Sequence, residues 1–273
     1  MLSKNCLICG NGLNLLGENG GFKIYKCSSC GLGVTEGSME GDYDQYHRDF
    51  VYVKENVQFK NVFARRARLV SKFQKTGRVL EVGSSTGVLL SVLKDKGWEV
   101  LGIEPSLEAQ QIAVEQGIPT LKTTFERAKL ASNRFDVIIF NHVLEHLADP
   151  LDVITKANRV LKKDGILFID VPNFGGLSAF LWGARWLYVL PNEHRWHFTY
   201  KALETLLGRT DFKIVHWEAT SGVWDYADLW GEIWDSFVHL KKRFFTNVLT
   251  LIPTYFITKL NLGTGLTVLA RKI

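Results

Sequence analysis

"RVLEVGSSTG", Arg78 to Gly87, reads as a short buried strand running into a glycine-containing turn. In an open α/β sheet a nucleotide-type ligand lies at such a turn, beyond the carboxyl ends of the strands. A dinucleotide fingerprint starting at Gly83 needs glycines at positions 85 and 88, where the chain has Ser85 and Val88. Without them a pyrophosphate cannot approach the backbone closely, which disfavours NAD and FAD. What stands is Glu81-x-Gly83-x-x-x-Gly87, followed by Glu104 in "VLGIEPS" at the end of a second apolar run.

The surrounding pattern extends the same reading. Val79–Val82, Val100–Ile103, Phe135–Phe140 and Ile166–Val171 are runs rich in Val, Ile and Phe, separated by helical stretches. That is the pattern of parallel strands joined by crossovers, so the fold class is α/β and doubly wound. Upstream, Phe59, Val62, Phe63, Ala67, Val70 and Phe73 recur at spacings of three and four, which predicts an amphipathic helix over 56–73. Lys60, Arg65, Arg66, Arg68 and Lys72 are assigned to its other face. Such a strip is either a solvated surface or a landing place for phosphate or anionic lipid.

A chain of 273 residues with 46% apolar and 22% charged content can bury one large core. Its net charge of +5 permits an anionic partner without demanding one. All four cysteines fall in the first thirty residues, as Cys6-Leu-Ile-Cys9-Gly and Cys27-Ser-Ser-Cys30-Gly. "MLSKNCLICG" has no apolar leader, so the expected compartment is the reducing cytoplasm rather than one that favours disulfides. The two knuckles predict a zinc ribbon in which Cys6, Cys9, Cys27 and Cys30 surround a tetrahedral ion. Four protein ligands fill the coordination sphere, so the metal is expected to be structural. The expected layout is a ribbon over 1–36, a polar linker over 37–55 and a main domain over 56–273.

The arrangement Glu81-x-Gly83-x-x-x-Gly87 with Glu104 resembles the class I S-adenosylmethionine-dependent methyltransferases. "FDVIIFNHVLEHLADP" and "GILFIDVPN" are similar to the subgroup with ubiquinone-type and sugar-modifying enzymes. The resemblance implies a seven-stranded, mostly parallel, Rossmann-like sheet ending in a strand at Leu266–Arg271. It implies that Glu81, Gly83, Ser84, Ser85 and Gly87 form the cofactor strand end and loop, and that Glu104 accepts the two ribose hydroxyls. Phe125 and Glu126 of "TTFERA" would lie beside adenine, with Asn141 and His142 facing cofactor and acceptor. Members often carry Asp-x-Gly-x-Gly-x-Gly, so Ser85 is a departure. The chemistry agrees: a carboxylate accepts two hydroxyls well, and the N–H groups of a tight turn hold polar ligand atoms.

His142-Val-Leu-Glu145-His146 also fits the inverted zinc-protease pattern H-x-x-E-H. It follows directly on a buried strand, and Asp149-Pro150 interrupts the chain three residues later, which leaves no room for the longer helix of that motif. Within the resemblance, Glu145 and His146 support the turn. A second cluster, "PNEHRWHFTYKALETLL", places His194, Arg195 and His197 before a helix capped by Thr199. The subgroup carries a similar stretch near its acceptor entrance. Transfer to a hydroxyl or an acidic carbon needs a base, and a histidine suits that task. The candidates are His194 first, His142 second, and His197 beside them.

Residues 219–262 form an insertion far longer than a hairpin needs. Trp230, Trp234, Phe237, Phe244 and Val248 recur there at helical spacing and are expected to pack on the core. "FFTNVLTLIPTYFIT" is too short to span a membrane and contains Pro253. With "LSAFLWGARWLYVL" and Lys241–Arg243 it suits an interfacial helix or a greasy acceptor such as a lipid-linked sugar. The expectation is methyl transfer to a small-molecule or sugar acceptor, nucleotide- or lipid-linked, by a protein in peripheral membrane contact. The alternatives are a ribosomal RNA methyltransferase, which also joins a zinc module to this fold, and a non-catalytic binding scaffold. An RNA-binding aromatic motif is lacking, which disfavours nucleic acid as partner.

Overall fold

The computed structural model describes residues 5–37, 56–239 and 243–273. The expected linker lies outside them apart from its first residue, as do Lys241 and Lys242. The chain begins with β1 (Leu13–Asn19), β2 (Phe22–Cys27) and β3 (Gly33–Thr35), followed by α1 (Asn56–Phe73) with the bounds the periodicity predicts. Alternation then sets in: β4 (Arg78–Val82), α2 (Val88–Lys94), β5 (Glu99–Ile103), α3 (Leu107–Glu115), β6 (Thr120–Leu121), β7 (Phe135–Asn141), α4 (Pro150–Val160) and β8 (Leu161–Pro172). After α5 (Leu177–Trp182) come β9 (Trp196–His197), α6 (Tyr200–Gly208), β10 (Phe212–Thr220), α7 (Leu229–Val238), α8 (Arg243–Lys259) and β11 (Gly265–Lys272).

The main sheet runs β10-β11-β8-β7-β4-β5-β6. Its strands from β4 to β8 are parallel, and β11 lies antiparallel between β8 and β10. Every strand expected from the apolar runs is present. Val79, Val137, Ile139, Ile166 and Phe168 point to the layer of α1 and α2, where Phe63, Ala67, Val70 and Leu90 meet them. Leu80, Ile138, Phe140, Leu167 and Ile169 point to the opposite layer with α4 and α6. Helices on both faces explain why the strands read as unbroken apolar runs. The chain winds outward from β4 through β5 and β6, then returns on the other side at β7. The reversal falls between β4 and β7, which is where a sheet of this order places its ligand crevice, beyond the carboxyl ends of the strands.

The N-terminal segment joins the rest of the molecule instead of hanging from it. β3 pairs with β9, giving a second sheet of order β1-β2-β3-β9. Ile8, Leu32 and Val34 share a core with Trp196, Phe198, Leu206 and Leu207. Gly33 permits this approach, because a Cβ there would stand 2.6 Å from Cε1 of Phe174 and 2.8 Å from Cβ of His197.

Two expectations from the patterning are corrected. The basic strip of α1 is not one surface: Arg66 is buried, with Nε 2.6 Å from Oδ2 of Asp170, and Arg65 reaches Glu218 at 2.7 Å. Arg66 stands three residues from Phe63 and four from Val70, which puts it on the buried stripe. The described residues of the insertion include α7 and α8, and the aromatic stripe faces outward. Trp230 and Trp234 are 70% and 67% exposed, whereas Glu232 and Ser236 of the same helix are buried. The side chain of Phe244 lies outside the described ones.

Candidate active site

The crevice is built from two strand ends tied together by their main chains. Beyond β4, the N–H groups of Gly83 and Ser84 donate to the carbonyl of Ile103 at 2.8 and 3.1 Å. Gly83 turns with φ 66°, and a Cβ there would meet Cγ2 of Val143 at 2.5 Å. Ser85 adopts φ 46°, a left-handed conformation that glycine takes without strain. Its N–H donates to Oε2 of Glu104 at 2.9 Å, while the N–H of Ser106 donates to Oε1 at 2.8 Å. Glu104 is thus fixed at the end of β5 with its charge over the turn.

Unpartnered polar atoms at the strand ends fit a polar ligand. Oε2 of Glu81, Oγ of Ser84 and Oδ1 of Asn141 are buried, with no hydrogen-bond partner among the described residues. Buried polar atoms are normally satisfied, so three orphans at the ends of adjacent strands mark a place for hydroxyl and amino groups. Burial, reinforced by the nearby Glu104 charge and opposed by Arg66, raises the pKa of Glu81 well above the carboxylate range. The residues fit the cofactor the sequence implies, with one exception. Phe125 turns into the core and packs edge-on against Phe140, 5.6 Å between centroids. Its side chain is 1% exposed, so it offers no free ring face beside the strand ends. Glu126 stays exposed, and Lys156 fixes its carbonyl and those of Phe125 and Ala128 at 3.0, 2.6 and 2.9 Å.

On the neighbouring strand, β7 ends at Asn141 and the chain turns sharply at His142, φ 54°. Leu144–His146 forms a single 3-10 turn, and Asp149 then caps α4 through Oδ1 to the N–H groups of Leu151 and Asp152. His142 and His146 therefore share no helix face, and the zinc-protease pattern has no structural counterpart. The His142 side chain is 43% exposed, with Nδ1 3.4 Å from Oε1 of the buried Glu145. Desolvation pulls the His142 pKa down, but the Glu145 and Asp170 carboxylates outweigh it and the net shift is upward. Burial opposes ionisation of Glu145, yet His142 and the neighbouring histidines draw its pKa down to about 2.

His194 and His197 are placed differently from His142. His194 is buried with Nδ1 2.9 Å from the carbonyl of Tyr188, and desolvation takes its pKa down to about 4. His197 is buried in β9, with Nε2 2.8 Å from Oγ1 of Thr35, and desolvation takes it to about 3. Both are buried, whereas the His142 side chain is 43% exposed. His146 stands edge-on to His194 at 4.7 Å, and the ligand-type atoms of Glu145, His146 and His194 lie within 4.8 Å of one another. One carboxylate and two imidazoles could also receive a divalent cation.

The four cysteines come together as the knuckles predict. Sγ atoms of Cys6 and Cys30 are 3.7 Å apart, those of Cys9 and Cys27 3.4 Å, and all four lie within 4.8 Å. Tetrahedral zinc with bonds of about 2.3 Å needs sulfurs roughly 3.8 Å apart, so the group fits it. Burial raises Cys6 and Cys30, whereas at Cys9 the contacts from Asn11 overcome burial and bring the thiol to about 6.

Sequence reasoning missed Arg66 and Asp170, whose pair lies beneath the crevice, and Thr35, whose partner is remote in the chain. Only Arg66 carried a signal, its position on the apolar stripe of α1.

A family model described as a methyltransferase domain matches residues 53–217. A ubiquinone biosynthesis O-methyltransferase of Haemophilus ducreyi is 36% identical over 107 residues, 35% of this chain and 45% of that protein. One from a Ruegeria species is 29% identical over 162 residues, 57% of each. The chain spans about half the length of these curated relatives. A SAM-dependent methyltransferase from Archaeoglobus fulgidus has the same fold, with TM-score 0.56 at 19% identity, covering 82% of this chain and all of that one. So does 1,6-didemethyltoxoflavin-N1-methyltransferase of Burkholderia thailandensis, solved with bound 1,6-didemethyltoxoflavin and S-adenosylhomocysteine: TM-score 0.56, 16% identity, 95% and 99% coverage.

Proposed function

Because the chain belongs to the methyltransferase-domain family, we propose that it transfers the methyl group of S-adenosylmethionine to a hydroxyl of a small-molecule or sugar acceptor carried on a lipid. The observation that carries this reading is His142, exposed at the crevice mouth with Glu145 behind it at 3.4 Å. When bound, S-adenosylmethionine supplies an electrophilic methyl on a sulfonium, so the protein's main task is alignment and exclusion of water. Glu104 holds the ribose hydroxyls, and the turn of Gly83, Ser84, Ser85 and Gly87 holds the methionine part. Asn141 offers its Oδ1 to the amino or hydroxyl groups nearby. His142 takes the acceptor proton, and Glu145 stabilises the imidazolium that results. The cysteine ribbon holds structural zinc.

A lipid anchor is supported by apolar surface gathered near the crevice. Phe180 of α5 is 80% exposed, with Leu181 and Trp182 beside it. The N–H of Leu177 donates to the carbonyl of Leu262 at 3.0 Å, which sets α5 next to the chain leaving α8 and its exposed Phe256 and Leu260. No described helix is long and apolar enough to cross a membrane. Attachment would be peripheral, through these faces and the outward tryptophans of α7. The RNA reading loses Arg65 and Arg66 of α1 to internal carboxylates.

Labelled S-adenosylmethionine incubated with lipid, nucleotide-sugar and RNA fractions tests this function. Label in the lipid pool is the expected outcome, and label confined to RNA would overturn the acceptor assignment. Absence of cofactor binding in calorimetry would favour a scaffold. Binding to anionic vesicles in sedimentation tests the membrane contact, and a protein left entirely in the supernatant would refute it.

A further inference from the structure

We propose that the cysteine ribbon positions the acceptor half of the site, acting through Thr35 and His197 as positioning residues. The assignment of that half rests on the reading of the His142–His146 loop given above; the mechanical link does not. β9 is only two residues long and is held from both sides. On the ribbon side, the N–H of Thr35 donates to the carbonyl of Arg195 at 3.0 Å, and Thr35 Oγ1 lies 2.8 Å from Nε2 of His197. On the other side, the N–H of Arg195 donates to the carbonyl of Glu145 at 2.9 Å, and Nε1 of Trp196 donates to the carbonyl of Leu147 at 2.7 Å. The strip 195–197 therefore ties the ribbon to the loop that carries His142 and Glu145.

The metal knuckles fix the ribbon end of this link. Oγ1 of Thr199, the cap of α6, donates to the carbonyl of Cys30 at 2.8 Å. The guanidinium of Arg209 donates to the carbonyls of Leu7 and Ile8 in the first knuckle. The N–H of Cys27 closes the second knuckle on the carbonyl of Leu32, at the start of the path into β3. A two-residue strand has no independent stability, so its position is inherited from its neighbours. The cofactor half is built otherwise. Gly83, Ser84, Ser85 and Ser106 bond to Ile103 and Glu104, with no ribbon residue among these partners. Loosening the ribbon should free the acceptor loop and leave the cofactor turn in place.

The test compares four forms of the full chain: zinc-loaded, chelator-treated, Thr35→Val and Thr35→Ser. Amide hydrogen exchange is followed by peptide, and affinity for S-adenosylhomocysteine is measured by calorimetry. Chelation and Thr35→Val should raise exchange in peptides over 142–149 and 195–199 by about tenfold, the scale of one lost hydrogen bond in a locally opening segment. Peptides over 83–87 and 104–106 and the affinity should stay within about twofold, and Thr35→Ser should restore protection. Unchanged exchange over 142–149 in Thr35→Val would overturn the proposal. So would a rise across all peptides with a parallel loss of affinity in that variant. If chelation unfolds the whole chain, the two Thr35 variants still decide. Failure of the catalytic reading shows separately, as absent methyl transfer with the exchange pattern intact.

Discussion

Nε of Arg66 lies 2.6 Å from Oδ2 of Asp170, and both side chains are nearly closed to solvent. The pair fastens the first helix of the main domain to the middle of the sheet, and Thr267 donates to the second Asp170 oxygen at 3.3 Å. Deleting one partner of a buried pair strands the other charge and costs about 3–5 kcal/mol. Arg66→Ala should lose stability on that order, and Asp170→Asn less, because an acceptor oxygen remains. Chemical denaturation measures both; an Arg66→Ala protein as stable as its parent would show the pair to be dispensable.

Glu104 holds the turn through Ser85 and the next segment through Ser106. Losing its charge would weaken these contacts and, with them, the proposed grip on a ribose diol. Glu104→Gln should weaken S-adenosylhomocysteine binding about tenfold to hundredfold, the scale of one or two charge-assisted hydrogen bonds. Calorimetry reads this directly, and an unaltered affinity would remove Glu104 from the cofactor site.

A base must be unprotonated, so the rate should fall as pH drops through the pKa of His142. The neighbouring carboxylates raise that pKa, which places the acid limb above the range of a free histidine. Glu145→Gln removes one raising charge and should move the limb to lower pH. His142→Asn should reduce kcat by about a hundredfold to ten-thousandfold with cofactor affinity kept. A pH–rate profile on the acceptor found by labelling checks both, and an unshifted limb in Glu145→Gln would break the pairing.

His194 and His197 titrate at about 4 and about 3 in the folded chain, below the ordinary histidine value, because burial disfavours their charged forms. The unfolded chain then binds more protons across this window. Stability from these groups is full above about pH 6.5 and declines toward pH 4, on the order of 3 kcal/mol from each by pH 4. Melting curves between pH 7 and 4 should show the decline, and His197→Phe should flatten it in part if the fold is kept. A parent protein equally stable at both ends would contradict the assignment.

The sheet was legible because its strands are buried on both faces, so local composition alone marks them, and the glycine turn with Glu104 follows from the two strand ends. The cysteine cluster was legible from spacing for a similar reason: each knuckle is a local object. The burial of His194 and His197 was not legible because it depends on what covers a loop: Tyr188 of the same loop bonds His194, and Thr35 and Phe174 from remote parts of the chain close over His197. The inward turn of Phe125 was not legible because a loop residue after a strand can face either way, and its partner Phe140 lies on another strand. The stripe of α7 had the spacing of a packed helix, but spacing does not say which side of the helix the core lies on.

The pairing of β3 with β9 also governs what becomes of the molecule when it is shortened. The ribbon carries few residues and invites removal as if it were a detachable tag, yet residues 56–273 alone would present a raw strand edge at Trp196 and uncover Phe198, Leu206 and Leu207. Bare edges and greasy surface recruit other copies of themselves. Such a fragment should collect in inclusion bodies, an outcome that would make the small N-terminal piece a solubility guard for the larger one.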